Sequence, residues 1–413
     1  MDIKLILKNI VKTDLTLSVS GLSLNTKTLK KGDVFVALQG EKTHGIEFIE
    51  NAIEKGCVAV LIDGKDFNCN VPTIRIDNLR TYLSMLAQNF YTKVNNVDLI
   101  AVTGTNGKTS VSHYISQLLD FLETDNGVIG TLGMSKTENK SINTTPDIFS
   151  IYSTLEEYSS NKVNIAVIEA SSHALMQDRL EGLSFSQGIF TNLTQDHLDY
   201  HKNFKKYFKA KQYLFENLIG KKGNVITDET LPEFKRIKKI AISRKLKLQV
   251  LNNSKNQFQI LSHSYRGEKQ ILKIRYYNLT REINLNLIGK IQLKNILMAI
   301  IAAKNSNISL IKILNVLSQL KPIDGRLEKI GKIKNKSKVI LDYAHTPDAL
   351  KICLSNLKEQ FPNKKIILLF GCGGNRDQNK RYKMGKIASN YSNEIYLTDD
   401  NPRFEDPRKI RDD

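Results

Sequence analysis

A chain of 413 residues, 41% hydrophobic and 25% charged, has apolar material for two or three cores and is neither collagen-like nor disordered. Its 61 Lys and Arg against 42 Asp and Glu leave a formal net charge of +19, but the lysines are scattered and no helix-turn-helix or RNP-type motif accompanies them. Nucleic acid is therefore not the expected partner, and anionic small substrates suit the surface better.

Four cysteines without a CxxC pair argue against a zinc ribbon or a disulfide framework. No apolar run approaches the ~18 residues of a membrane span. No signal peptide is visible, so a cytoplasmic protein without a membrane partner is expected.

Residues 1–97 alternate short apolar strands (34–38, 58–62, 73–76) with helical patterns (48–55, 79–91) and read as a small α/β domain. Residues 98–103 form an apolar strand that runs into a glycine loop and a helix over 109–121, which opens a nucleotide-type domain over 98–322. Strand-like runs recur at 164–168, 188–190, 225–227 and 240–242. Over 248–288 the pattern turns to β-type alternation, as in Gln270-Ile271-Leu272-Lys273-Ile274, and helices are predicted at 293–304 and 310–320. Lys321-Pro322 breaks the pattern. Residues 323–413 are α/β again, with strands at 339–341, 366–370 and 395–397 expected to be parallel. They make a thin, Rossmann-like doubly wound domain that reads as incomplete.

The sharpest local signal is Gly104-Thr105-Asn106-Gly107-Lys108-Thr109, between an apolar strand and a helix. The glycines let the backbone wrap a phosphate chain, and the helix N-terminus points its N–H groups at the anion. Lys108 suits the β- and γ-phosphates and the Thr109 hydroxyl suits Mg²⁺. Val102 stands where the full P-loop pattern has a glycine, so this is a shortened variant. An ATP- or GTP-dependent enzyme is expected from the loop alone, with the reaction left open.

Further motifs follow in order: residues 169–175 (EASSHAL), 192–201 (NLTQDHLDYH), Ala210-Lys211, 324–328 (DGRLE), 342–348 (DYAHTPD) and 371–377 (GCGGNRD). Together with the loop they resemble the Mur ligases, the ATP-dependent amide-forming enzymes of peptidoglycan synthesis. The resemblance runs from about Asn25 to the last residue. It implies a three-domain α/β architecture with a central P-loop ATPase domain, its parallel sheet and a small β-subdomain. Asn143-Thr144-Thr145-Pro146-Asp147 and Asp400-Asn401-Pro402-Arg403 resemble the branch that adds meso-diaminopimelate to UDP-N-acetylmuramoyl-L-alanyl-D-glutamate. Addition of L-lysine by the same chemistry, or a truncated relative that binds UDP-substrate and ATP without turnover, are the alternatives.

The resemblance also implies roles. Gly104 to Thr109, Asn295, Arg326 and Asp342 contact ATP; Lys108, Lys211, Arg326 and His345 carry catalysis. Thr109, Glu169, His197 and Lys211, the last carbamylated by CO₂ to N6-carboxylysine, hold Mg²⁺. Thr26, Glu41, Lys42, Thr43, Thr144, Thr145, Ser171, Gln177 and Arg179 grip the UDP-muramoyl-dipeptide, although Asn25-Thr26-Lys27 replaces the usual Asp-Ser-Arg. Arg376, Asp400, Asn401, Pro402 and Arg403 read the diaminopimelate, and a monomer is expected. Relatives continue beyond the position of Asp413 with a motif that completes that pocket.

Overall fold

The computed structural model describes all residues except 41–42, 65, 138–142, 252–257, 277 and 334–336. Three regions follow one another along the chain. The first holds four parallel strands in the order β1 (Gly21–Ser23), β2 (Asp33–Ala37), β3 (Ala59–Asp63), β4 (Thr73–Ile76). Continuous apolar runs mark strands covered on both faces. Val34, Val36 and Leu61 enter one core while Phe35, Val60 and Ile62 enter another on the opposite side.

The second region carries seven strands: β5 (Asp98–Thr103), β6 (Asn126–Gly130), β7 (Gly133–Met134), β8 (Ile165–Glu169), β9 (Phe185–Phe190), β10 (Ile219–Asp228) and β11 (Lys247–Leu251). Their spatial order is β11-β10-β9-β5-β8-β6-β7, all parallel except the β6–β7 pair. The chain crosses from β8 over β5 to β9, so the order reverses beside β5, and ligands in open α/β sheets bind at such a reversal. The Lys108–Phe121 helix leaves β5 there and packs on the Ile291–Asn305 helix.

The run 240–242, expected as a strand, lies in the Phe234–Ser243 helix. Ile237, Ile240 and Ala241 are buried at helical spacing while Ile242 stays exposed. The β-type alternation is a three-stranded antiparallel sheet of β12 (Phe258–Arg266), β13 (Lys269–Tyr276) and β14 (Leu279–Leu285). Leu272, Ile274, Ile283 and Leu285 face the core.

In the third region the 339–341 strand is corrected as well. β16 (Lys338–Leu341) pairs antiparallel with β15 (Glu328–Lys332), apart from the parallel pair β17 (Ile367–Phe370) and β18 (Glu394–Leu397). The Pro347–Gln360 and Asn379–Tyr391 helices cover one face of that pair through Leu350, Leu354 and Met384. On the other face Ile367, Leu369 and Tyr396 remain 61%, 69% and 56% exposed. The region is fastened to the central one by Gln360, which accepts from Gly289 N at 2.8 Å and donates to Gly267 O at 3.3 Å. Among the described residues no helix is long and apolar enough to cross a membrane.

Candidate active site

The loop after β5 is built for close approach. Gly104 has φ 150° and a Cβ there would overlap Thr191 Oγ1; Gly107 has φ 87° and a Cβ would lie 2.9 Å from Asn295 Oδ1. Gly107 is also the N-cap of the Lys108–Phe121 helix and supplies no side-chain cap. The first N–H groups of that helix therefore have no capping oxygen and can take an anion. The segment after β9 holds the loop rigid. Thr105 N donates to Asn192 O at 3.0 Å and Asn106 N to Asn192 Oδ1 at 2.9 Å, while the Thr191 hydroxyl donates to Asn106 O at 2.6 Å.

Two lysines share this loop. Lys108 Nζ donates to Gly104 O and Thr105 O, both at 3.0 Å, and Lys211 Nζ donates to Gly104 O at 2.9 Å. Burial lowers the pKa of both amines. Lys211 falls well below the ordinary lysine range through burial and then the charge of Lys108. Its amine lies 4.6 Å from the Tyr207 ring centroid, and Tyr207 hydrogen-bonds the Thr105 hydroxyl at 3.0 Å.

Glu169 ends β8 with no solvent exposure. Its carboxylate accepts from Thr109 Oγ1 at 3.0 Å, Thr131 N at 2.9 Å and Thr131 Oγ1 at 3.0 Å. Among the described residues no cation reaches it at salt-bridge distance. A buried carboxylate with only neutral donors is a charge awaiting a counter-ion. Beside it, Thr145 Oγ1 donates to Glu169 O at 2.6 Å and lies 3.0 Å from Ser171 Oγ, whose hydroxyl can donate to it. Arg179 donates to Thr145 O at 2.7 Å and to Gln177 Oε1 at 2.6 Å, and Gln177 donates to the Tyr200 hydroxyl at 3.3 Å. Thr144, Thr145, Ser171, Gln177 and Arg179 thus form one connected wall, with Thr144 joined through Thr131 at 3.1 Å.

His197 adopts φ 52° and sets its Nε2 3.3 Å from Asp196, with its ring edge-on to His173 at 4.7 Å. Burial pushes its pKa down to about 4, against the pull of Asp196. Burial alone would raise Asp196, but the nearby His345 imidazole and the charges of His197 and Lys108 hold it below the usual carboxylate range. His201, hydrogen-bonded to Ser172 at 2.9 Å, is likewise pushed down to about 4 by burial.

The third region reaches into this centre. Arg326 donates to Thr109 Oγ1 at 3.2 Å and lies 4.5 Å from the Tyr343 ring centroid. Asp342 accepts from Leu327 N at 2.8 Å, and His345 Nε2 stands 3.7 Å from Asp196. Asn106 donates to Asp348 at 3.3 Å, while Gln195 accepts from Lys383 at 2.9 Å and donates to Asp377 at 3.4 Å. Asn295 is buried, bonded to Gln292 at 3.1 Å.

Other expected residues lie apart from the loop. Thr26 and Thr43 sit in the connections after β1 and β2, at the carboxyl ends of neighbouring strands, and Glu41 and Lys42 lie outside the described residues. Arg376, Asp400, Asn401, Pro402 and Arg403 follow the carboxyl ends of β17 and β18, where Gly374 N donates to Asn401 O at 2.9 Å and Arg403 to Gly374 O at 2.8 Å. Among the described residues no three His, Cys, Asp or Glu side chains converge as a metal nest. Thr131 and Tyr207 were not singled out by sequence, and Gln195 was read only as part of the 192–201 motif, with no role of its own. Tyr207 had a usable signal, four residues before Lys211 on one helix face.

Comparison with known proteins names the class. The Mur ligase family catalytic domain matches residues 18–91, the Mur ligase middle domain residues 102–303 and the Mur ligase glutamate ligase domain residues 325–413. The chain belongs to the Mur ligase family. A relative from Wigglesworthia glossinidia brevipalpis is 37% identical over 98% of this chain and 84% of its own length. Another from Clostridium tetani is 35% identical over 100% and 86%. Both are named UDP-N-acetylmuramoyl-L-alanyl-D-glutamate–2,6-diaminopimelate ligase. A solved structure of an enzyme of that name superposes with a TM-score of 0.73 at 27% identity, covering 99% of this chain and 84% of that one. MurF from Acinetobacter baumannii shares the fold, with a TM-score of 0.72 at 16% identity over 95% of this chain and 84% of that one.

Proposed function

We propose that the protein is an ATP-dependent ligase that adds meso-diaminopimelate to UDP-N-acetylmuramoyl-L-alanyl-D-glutamate, the reaction for which its relatives are named. The observation that carries this reading is the gathering of Lys108 and Arg326, with Lys211 beside them, on one phosphate-type loop opposite the buried Glu169. ATP and the peptide carboxylate are both anions, so phosphoryl transfer needs charge neutralisation more than acid–base chemistry. The γ-phosphoryl group passes to the glutamate carboxylate and ADP leaves. The diaminopimelate amine then attacks the acyl carbon, and an amide and inorganic phosphate result.

The residues fit Mg²⁺. Thr109 and Glu169 are hard oxygen donors, and among the described residues no cation reaches Glu169 at salt-bridge distance. His197, kept neutral by burial, and a carbamylated Lys211 complete the donor set. Mg²⁺ bound there would offset charge on the phosphate oxygens. Carbamylation needs a neutral amine, and the depressed pKa of Lys211 supplies one. Residues 98–322 hold the nucleotide through Gly104 to Thr109 and Asn295, with Arg326, Asp342 and His345 closing from 323–413. Thr144, Thr145, Ser171, Gln177 and Arg179 grip the muramoyl-dipeptide, and residues 1–97 take its UDP end through Thr26, Glu41, Lys42 and Thr43.

Arg376, Asp400, Asn401, Pro402 and Arg403 read the amino acid. Arg403 can fork onto the distal carboxylate that lysine lacks, and losing such a pair costs on the order of 2–5 kcal/mol. The same reading takes the enzyme to be cytoplasmic and monomeric. ADP release is measured with ATP and UDP-muramoyl-dipeptide, adding diaminopimelate or lysine. Release that requires diaminopimelate is expected. A preference for lysine removes the role of Arg403, and no release with either amino acid removes the ligase.

A further inference from the structure

Thr131 stands where the two halves of the site meet. It directly follows β6, and the strand brings its backbone so close to Glu169 that a Cβ on the preceding Gly130 would overlap Glu169 Oε1. Its N–H donates to Glu169 Oε1 at 2.9 Å and its hydroxyl to Oε2 at 3.0 Å. The same hydroxyl oxygen lies 3.1 Å from Thr144 Oγ1.

Counting protons fixes the direction of this chain. A carboxylate only accepts, and a threonine hydroxyl has a single proton to give. The Thr109 and Thr131 hydroxyl protons both go to Glu169 Oε2. The bond between the two other threonines must then run from Thr144 to Thr131. Thr144 spends its proton inward and turns only lone pairs outward, so it can accept an N–H or O–H from a ligand but cannot donate to a phosphate or carboxylate.

We infer that Thr131 is a positioning residue with two tasks: it aims the Glu169 carboxylate at the metal, and it makes Thr144 an acceptor for an amide N–H or hydroxyl of the muramoyl-peptide. The inference rests on the reading above in which Glu169 holds the metal and Thr144 the peptide. Partners that orient a metal-holding group typically change metal affinity 10–100-fold when removed. Thr144 lies one bond further from the carboxylate, so the two threonines have separable signatures.

The test uses the full chain and two binding readouts: Mn²⁺ in the presence of ADP, followed by electron paramagnetic resonance, and UDP-muramoyl-dipeptide without nucleotide, followed by calorimetry. Thr131→Val is expected to weaken Mn²⁺ about tenfold or more and to weaken the dipeptide as well. Thr131→Ser is expected to restore both. Thr144→Val is expected to weaken the dipeptide and leave Mn²⁺ nearly unchanged. Unchanged Mn²⁺ affinity in Thr131→Val overturns the inference, and so does a Thr144→Val variant that loses Mn²⁺ as strongly as it loses dipeptide. Should Thr131→Val not fold, the second criterion decides alone. Glu169→Gln separates the two layers. If it binds Mn²⁺ as the unaltered chain does, the metal reading itself falls and takes the inference with it. If it loses Mn²⁺ while Thr131→Val keeps it, only the inference falls.

Discussion

Two sheets carry, at the carboxyl ends of their parallel strands, the loops to which the proposed function assigns ligands, and they are built differently. At β5 and β8 every residue from Leu99 to Thr103 and from Ile165 to Glu169 is buried, and the loops beyond them are tied by short bonds to Asn192, Thr131 and Thr145. At β17 and β18 the strand residues are half-buried or exposed, and Arg376, Asp400 and Arg403 stand in solvent. A group that must meet charge developing in a transition state benefits from a rigid, dry frame. A group that only recognises a soluble amino acid can stay accessible. The first sheet is therefore read as the seat of chemistry and the second as the seat of selection.

The largest expected effect breaks that division if it fails. Lys108→Ala removes the loop cation and should lower turnover by roughly a thousandfold or more, the scale of losing a preorganised electrostatic partner. UDP-substrate affinity, read by calorimetry, should change little. Comparable turnover in Lys108→Ala would place the chemistry elsewhere. Next in size, Ile168→Ala should cost about 2–5 kcal/mol of stability in denaturant unfolding, because Ile168 is fully buried beside Glu169 and the cavity cannot fill. A loss under about 1 kcal/mol would show that the frame is looser than its burial suggests.

Both sheets were legible as apolar runs, but not equally well. β5 and its loop could be read because glycines, Lys108 and Thr109 stand between a strand and a helix, and each residue type has its own physical reason to be there. The run 240–242 misled because Ile-Ala-Ile is too short to separate a period of two from 3.6; the decisive residue is Ile237, outside it. The direction of β16 could not be read from its own residues. It depends on β15, whose sequence Glu-Lys-Ile-Gly-Lys is mostly polar and whose pairing shifts register before Gly331. Thr131 escaped notice because a threonine after Ile129-Gly130 looks like turn chemistry, and its partner Glu169 is 38 residues away.

A pH experiment sharpens the account of the central frame. His201 is 3% exposed and packs on Tyr207 at 5.0 Å between ring centroids. An unfolded histidine takes its proton near pH 6.5, whereas burial keeps the folded one neutral down to about 4. Between these values the unfolded chain binds more protons, so stability falls as the pH drops through that window and is flat above it. The loss should be on the order of 2 kcal/mol at pH 4 relative to pH 7.5, seen as a lower urea midpoint. His197, pushed down to about 4 as well, adds to the same slope, so His201→Phe should reduce it without abolishing it. An unchanged slope would assign it to other groups.

The smallest expected effect tests the other sheet. Leu369 lies in β17 between the half-buried Leu368 and Phe370, and by sequence alone it belongs to the same apolar run. Its side chain is on the face away from the Pro347–Gln360 and Asn379–Tyr391 helices and is 69% exposed. Truncation there opens no cavity and removes little area from contact, so Leu369→Ala should shift stability by no more than about 0.5 kcal/mol. Leu354→Ala, in the core under the same sheet and 1% exposed, should cost about 2–5 kcal/mol. The pair is measured by urea unfolding of the whole chain. If Leu369→Ala cost as much as Leu354→Ala, the face read as bare would be covered in solution, and the selecting sheet would be built on the same plan as the one that carries the chemistry.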